Sequence, residues 1–211
     1  MPLPPAPFVY PILDVAALSG RDAGSVARSL VAAGARIIQV RGKDLASGAL
    51  CDIVAAVVAG TRGTGALVIV NDRPDIALIT GADGVHVGQD DMPAGDVRRL
   101  MPRPLIVGLS THGVAQMEAA PFEALDYVAI GPVSSTTSKE KPDPVVGLEG
   151  VAAARAMTAL TLVAIGGITR DNAAGVVAAG ADGIAVISGI LSAGDPGEAY
   201  RALAGSLPSR R

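Results

Sequence analysis

Aromatic side chains are nearly missing from this chain: 211 residues hold no Trp, three Tyr and two Phe. That scarcity excludes the stacking platforms on which single-stranded bases are bound. An excess of positive charge is missing too, with 17 Lys+Arg against 20 Asp+Glu and a net charge of −3. With no basic stripe either, nucleic acid is not an expected partner. Cys51 is the one cysteine, which rules out an intrachain disulfide. It sits in an apolar helical stretch, 50–58, and reads as a buried structural thiol. Every apolar run is broken by a charge or a glycine before about 18 residues, so no membrane span is expected. The opening MPLPPAPFVYPIL has no basic residues ahead of its apolar ones and does not read as a signal peptide. A soluble cytoplasmic protein is the expectation, with 1–7 and 206–211 as loosely ordered tails. Oligomeric state has no signature in the sequence.

What the chain does have is small apolar residues. Half of it is hydrophobic, and it carries 26 Gly. A repeat follows from the glycines: Ala33-Gly34-Ala35-Arg36, Thr80-Gly81-Ala82-Asp83 and Ala179-Gly180-Ala181-Asp182 each close a helical stretch and open an apolar run. Glycine at a helix C′ position takes the left-handed conformation other residues resist. "Helix, Gly, strand" repeated along the chain indicates consecutive βα units. Strands are expected at 8–13, 36–40, 67–70, 84–87, 105–108, 127–130, 161–165 and 183–187. Helices are expected near 22–33, 46–60, 73–80, 94–101, 113–119, 148–158, 170–179 and 196–205. Eight of each is the count of a single-domain (β/α)8 TIM barrel at the small end of its range, roughly 200 residues. A doubly wound open sheet is the alternative, but no Gly-x-Gly-x-x-Gly follows the first strand.

In a barrel the residues after each strand line one mouth, where ligands bind. Leu67–Val70 runs straight into Asn71-Asp72-Arg73, and Asp72 is a candidate metal ligand. After the second strand comes Gln39-Val40-Arg41-Gly42-Lys43. If the strand continues, Gln39, Arg41 and Lys43 share a face above Ile37. An amide, a guanidinium and an ammonium together suit a polyanion. Gly88-Gln89-Asp90-Asp91 follows the fourth strand. Carboxylates after adjacent strands can share one ion, and Mg²⁺ takes one or two carboxylates plus water and phosphate oxygens. Either Asp90 or Asp91 could be that ligand, the other capping the next helix.

Ser110 can point its hydroxyl into the mouth or cap the helix near 113–119. His86, inside a strand, reads as a satisfied core residue, and His112 follows the fifth strand. A hydroxyl-rich run, Ser134–Ser138, closes on Lys139 after the sixth strand and suits a lid or phosphate clamp. Gly166-Gly167-Ile168-Thr169 and Ser188-Gly189 follow strands seven and eight, the usual phosphate site of this barrel class. Two anion sites across one mouth result, one suited to a diphosphate and one to a monophosphate.

The ordered stretches Ile38-Gln39-Val40-Arg41-x-Lys43, Val70-Asn71-Asp72-Arg73, Gly84-Val85-His86-Val87-Gly88-Gln89-x-Asp91, Gly108-Leu109-Ser110, Gly131-Pro132 through Thr136-x-x-Lys139, Ile165-Gly166-Gly167-Ile168 and Ala185-Val186-Ile187-Ser188 resemble the thiamine-phosphate synthase family along nearly the whole chain. The resemblance implies an enzyme, a transferase of thiamine biosynthesis. It implies joining of a hydroxymethylpyrimidine diphosphate to a hydroxyethylthiazole phosphate, with release of pyrophosphate, through a pyrimidine methylene cation. It implies one Mg²⁺ on Asp72 and Asp91. Gln39, Val40, Arg41, Gly42, Lys43, Asn71, Ser110 and Lys139 would contact the pyrimidine diphosphate, with Arg41, Lys43, Lys139 and Ser110 catalytic. Thr136, Thr137, Ser138, Gly167, Ile187 and Ser188 would hold the thiazole phosphate. Gly42 stands where an acidic residue is common in the family, and Ser138 where Thr is common. A related thiazole tautomerase group carries His after the strand-six glycine, where this chain has Pro132. A phosphate-sensing barrel without catalysis is the alternative from another class.

Overall fold

The computed structural model describes residues 2–100, 104–135 and 143–208. Eight parallel strands close into a barrel in sequence order. They are β1 (Phe8–Asp14), β2 (Ile37–Arg41), β3 (Leu67–Asn71), β4 (Gly84–Val87), β5 (Ile106–Thr111), β6 (Tyr127–Ile130), β7 (Thr161–Ile165) and β8 (Gly183–Val186). Closure comes from β1 against β8, with Phe8 opposite Gly183 and Tyr10 opposite Ala185. The expected barrel is thus the observed one.

The outer ring among the described residues is α1 (Ala23–Ala32), α2 (Ser47–Thr61), α3 (Pro74–Thr80), α4 (Ala94–Leu100), α5 (Val114–Glu118), α6 (Gly147–Met157), α7 (Ala173–Ala178), α8 (Ser188–Leu191) and α9 (Pro196–Ala204). The repeat glycines behave as helix stops, with left-handed φ of 107° at Gly34, 74° at Gly81 and 115° at Gly180. Two differences from the sequence expectation bear on the mouth. α8 was not expected, because four residues give periodicity nothing to register. β5 runs on to Thr111, since Ser110 and Thr111 pair with Ala129 and Ile130 of β6.

Each strand is apolar on both faces because each face meets a different core. Val9, Leu13, Ile38, Val40, Val68, Val70, Val128, Ile130, Leu162 and Ile184 point outward and pack with the helices. Phe8, Tyr10, Ile12, Ile37, Leu67, Ile69, Ile106, Tyr127, Ala129, Val163 and Ala185 fill the barrel interior. Full burial of such an aliphatic side chain contributes about 1.5–3 kcal/mol. The rare aromatics are concentrated inside, and two glycines make room for them. A Cβ on Gly183 would strike the Phe8 ring, and one on Gly108 the Tyr127 ring. Cys51 is half-buried against the outer core. Among the described residues no helix is long and apolar enough to cross a membrane.

Opposite the mouth, three aspartates that directly precede strands, two of them in the repeat, tie neighbouring strands together. Asp83 accepts a bond from the Val68 N–H (2.8 Å), Asp126 from Val107 (2.8 Å) and Asp182 from Leu162 (3.0 Å). Each carboxylate sits just before an even strand and latches the start of the odd strand before it. Arg98 pairs with Asp126, and Arg155 with Asp182 at 2.8 Å. This is the face of the barrel where built-in polar contacts serve stability.

Candidate active site

The C-terminal ends of the strands open into a cavity of about 620 Å³. Gln39, Arg41, Lys43, Asn71, Asp72, Asp91, Ser110, Gly167, Ile187 and Ser188 all line it. Thr136, Thr137, Ser138 and Lys139 lie outside the described residues. Val40 faces the outer core, so only its backbone belongs to this rim. β2 ends at Arg41, and Lys43 reaches the cavity from the turn beyond it. Gly42 shapes that turn: a Cβ there would lie 2.9 Å from Leu45 Cδ1 and 3.0 Å from Leu50 Cδ1.

Arg41 is not a lone guanidinium. It pairs with Asp14, the buried last residue of β1, which also accepts the Ala16 N–H at 3.1 Å. Asp14 belongs to the inward series Phe8, Tyr10, Ile12, Asp14. Period two extends that series to Asp14, one residue past the expected strand end at Leu13. A charge-assisted pair of this kind fixes the direction in which Arg41 presents its remaining N–H groups. Arg73, by contrast, turns away to Asp75 (2.6 Å) and to Ser47 Oγ (3.0 Å).

At the end of β3 the chain turns sharply. Asp72 has φ of 62°, a conformation unusual outside glycine and tolerated best by Asn and Asp. Its N–H bonds to the His86 carbonyl at 2.8 Å. Asp91 Oδ2 accepts the Gly88 N–H at 2.7 Å and so shapes the β4 loop rather than capping α4. Ser110 likewise is no helix cap: α5 is preceded by Gly113 without a side-chain cap.

The Asp72 carboxyl is pushed up to about 6, first by burial and then by its hydrogen bond to Asp91 and that residue's charge, with Lys43 and Arg41 opposing. Two carboxylates this close repel unless a proton or a cation lies between them. The donor set is all oxygen, as hard cations require. Among the described residues no cluster of three or more His, Cys, Asp or Glu could hold a metal. A cation between Asp72 and Asp91 would therefore complete its shell with water or substrate oxygens, the habit of Mg²⁺. The residues present fit that ion.

Below the rim lies a polar floor that local sequence patterns do not reveal. Gln39 Nε2 donates to the Tyr10 hydroxyl (3.2 Å), which meets the Tyr127 hydroxyl at 3.0 Å. Tyr127 reaches His86 Nδ1 at 2.9 Å, and His86 Nε2 reaches Ser110 Oγ at 2.8 Å. Burial drives His86 down to about 4, against the charge of Asp91 and with a small push from His112, so its ring is neutral at pH 7. The expectation of a satisfied core histidine holds, but the residue also faces the cavity. His112 Nδ1 lies 2.8 Å from the Gly131 carbonyl.

Across the mouth the rim is mostly backbone. Gly166 and Gly167 have φ of 98° and 62°. A Cβ on Gly167 would meet the Ser135 carbonyl at 2.5 Å, so only glycine permits this approach of the β6 loop. Asn172 ties the same turn together, donating to the Gly167 carbonyl (2.9 Å) and accepting the Thr169 N–H (2.8 Å).

Comparison with known proteins places this geometry in a family. The family model described as thiamine monophosphate synthase matches residues 9–190. A thiamine-phosphate synthase of Methanoregula boonei is 46% identical over 187 residues, covering 89% of this chain and 87% of the relative. One of Methanoculleus marisnigri is 44% identical over 195 residues, covering 92% of each. The solved thiamine phosphate pyrophosphorylase of Pyrococcus furiosus superimposes with a TM-score of 0.83 at 35% identity, over 94% of both chains. The chain belongs to the thiamine monophosphate synthase family.

Proposed function

We propose that this protein is a thiamine-phosphate synthase: it condenses the aminopyrimidine methyl diphosphate with the thiazole ethyl phosphate and releases pyrophosphate. The observation that carries the reading is one cavity lined on one side by Arg41, Lys43, Asp72 and Asp91, and on the other by the glycine rim of Gly167 and Ser188. A diphosphate leaving group needs concentrated positive charge, while a monophosphate that only has to be held suits backbone N–H groups.

In this scheme Arg41, braced by Asp14, forks two diphosphate oxygens, and Lys43 and Lys139 add charge. Gln39, Asn71 and Ser110, with the backbone of Val40 and Gly42, orient the pyrimidine diphosphate. Thr136, Thr137, Ser138, Gly167, Ile187 and Ser188 hold the thiazole phosphate. Asp72 and Asp91 would hold one Mg²⁺, which supplies neutralising charge to the departing diphosphate. The C–O bond of the pyrimidine methylene breaks, and the thiazole nitrogen supplies the electron pair for the new C–N bond. No proton is abstracted, so no general base is needed, and His86 is neutral and already engaged. Holding both substrates in line can lower the barrier by roughly 7–11 kcal/mol.

The test mixes purified protein, both substrates and Mg²⁺ and follows thiamine phosphate. Formation of product with stoichiometric pyrophosphate supports the reading. No product overturns it, and tight binding of both substrates without turnover identifies a sensor instead.

A further inference from the structure

Five side chains from five different strands join in one hydrogen-bonded line across the barrel: Gln39, Tyr10, Tyr127, His86 and Ser110. The first four are almost wholly enclosed, with exposures of 2%, 1%, 1% and 7%. All five border the cavity, and Ser110, at the far end, is the least buried of them. Such a line has a polarity. A phenol carries one hydrogen, and a neutral imidazole has one N–H and one bare nitrogen. Gln39 donates its amide hydrogen to Tyr10. The arrangement in which every hydrogen serves the line has Tyr10 donating to Tyr127, and Tyr127 to His86 Nδ1. With Nδ1 accepting, the ring hydrogen lies on Nε2 and is given to Ser110 Oγ. The serine's own hydrogen is left for the cavity.

The ring geometry supports a fixed line. Tyr127 lies edge-on to Tyr10 at 6.1 Å and stacks on His86 at 5.4 Å. Gly108 leaves the Tyr127 ring the space it occupies. Burial pushes both phenols up, so each keeps its hydrogen. Were the Gln39 amide turned to accept, every bond would reverse. His86 would carry its hydrogen on Nδ1, and Ser110 would show the cavity only lone pairs.

We propose that Tyr10, Tyr127 and His86 are positioning residues that fix the Ser110 hydroxyl as a hydrogen-bond donor aimed into the cavity, with His86 held as its Nε2–H tautomer. The proposal rests on the synthase reading only for the acceptor, an oxygen or ring nitrogen of the pyrimidine diphosphate. Tyr127 thereby acts on the substrate through two intermediaries, His86 and Ser110, and becomes a determinant of turnover.

Two measurements test it. Long-range ¹H–¹⁵N NMR of the histidine rings, assigned with His86→Gln, should show wild-type His86 as a single Nε2–H tautomer and as a mixture in Tyr127→Phe. This readout needs no activity, so it stands apart from the synthase assay. In kinetics, Tyr127→Phe should lower kcat roughly fivefold, the worth of one net hydrogen bond, with KM for the thiazole phosphate unchanged. In a Ser110→Ala background the same substitution should cost nothing further, because the route to substrate is already cut. An Nδ1–H tautomer or a doubly protonated ring in the wild type overturns the proposal. So does a Tyr127→Phe loss that persists undiminished in Ser110→Ala, which would mark Tyr127 as merely structural.

Discussion

Replacing Asp72 by Asn should make the metal-free protein more stable while abolishing its chemistry. The carboxyl is raised from 3.8 to about 6, chiefly by burial and then by Asp91. A displacement of that size corresponds to about 3 kcal/mol against the folded state once the group is ionised. Asp72 is only half-buried, so solvent screening reduces the expected effect to about 1–2 kcal/mol. Asn keeps the shape, tolerates the φ of 62° and can donate to Asp91 instead of repelling it. The pH dependence follows from the direction of the displacement. The folded carboxyl holds its proton more tightly than the unfolded one, so stability is lost as pH rises from 3.8 to about 6. The advantage of Asp72→Asn should therefore be absent below that window and complete above it. Urea unfolding in EDTA at pH 4, 5, 6 and 8 measures this directly. Millimolar Mg²⁺ should stabilise the wild type and narrow the difference, because only the wild type gains the bound ion. A variant less stable than wild type at pH 8 in EDTA, or a gain equally large at pH 4, would refute the reasoning.

Two further predictions follow from the same cavity and its floor. Gly108→Ala should destabilise by about 1–3 kcal/mol through overpacking against Tyr127, whereas Gly95→Ala, with nothing within 4 Å, should stabilise α4 by up to about 1 kcal/mol; thermal melts of the two variants that shift alike would contradict this packing. Lys43→Ala should weaken binding of the pyrimidine diphosphate about tenfold, the loss of one charge-assisted hydrogen bond, and leave the thiazole phosphate unchanged; equal losses by calorimetry would argue against two separate anion sites.

Most of the barrel was legible because its signals are local. Apolar runs and C′ glycines each occupy a few adjacent residues, and the order of strands in a barrel is the order of the sequence. The rim residues were legible for the same reason, since they directly follow the runs. The floor was not. That Tyr10 meets Tyr127 is a fact about closure, with 117 residues between them, and no local pattern encodes it. Asp14 was within reach, as the fourth inward residue of an alternating series. Ser110 was legible as a residue of the mouth, but choosing that over a helix cap needed the extension of β5 past Gly108, which depends on pairing with β6.

The aspartate latches at the closed end of the barrel bear on how the chain reaches this structure. They join β3 to β4, β5 to β6 and β7 to β8 across only 15, 19 and 20 residues. Arg36 stands where the β1–β2 pair would need its aspartate. Every strand pairing but one is likewise between sequence neighbours, and the exception is β1 with β8. Local pairings are reached quickly and distant ones slowly, because loop closure costs entropy before any contact forms. The chain can thus accumulate three latched βαβ modules early and leave the β1–β8 seam for last. The floor line crosses that late-forming neighbourhood through Tyr10, so the polar interior of the mouth is assembled only when the ring closes.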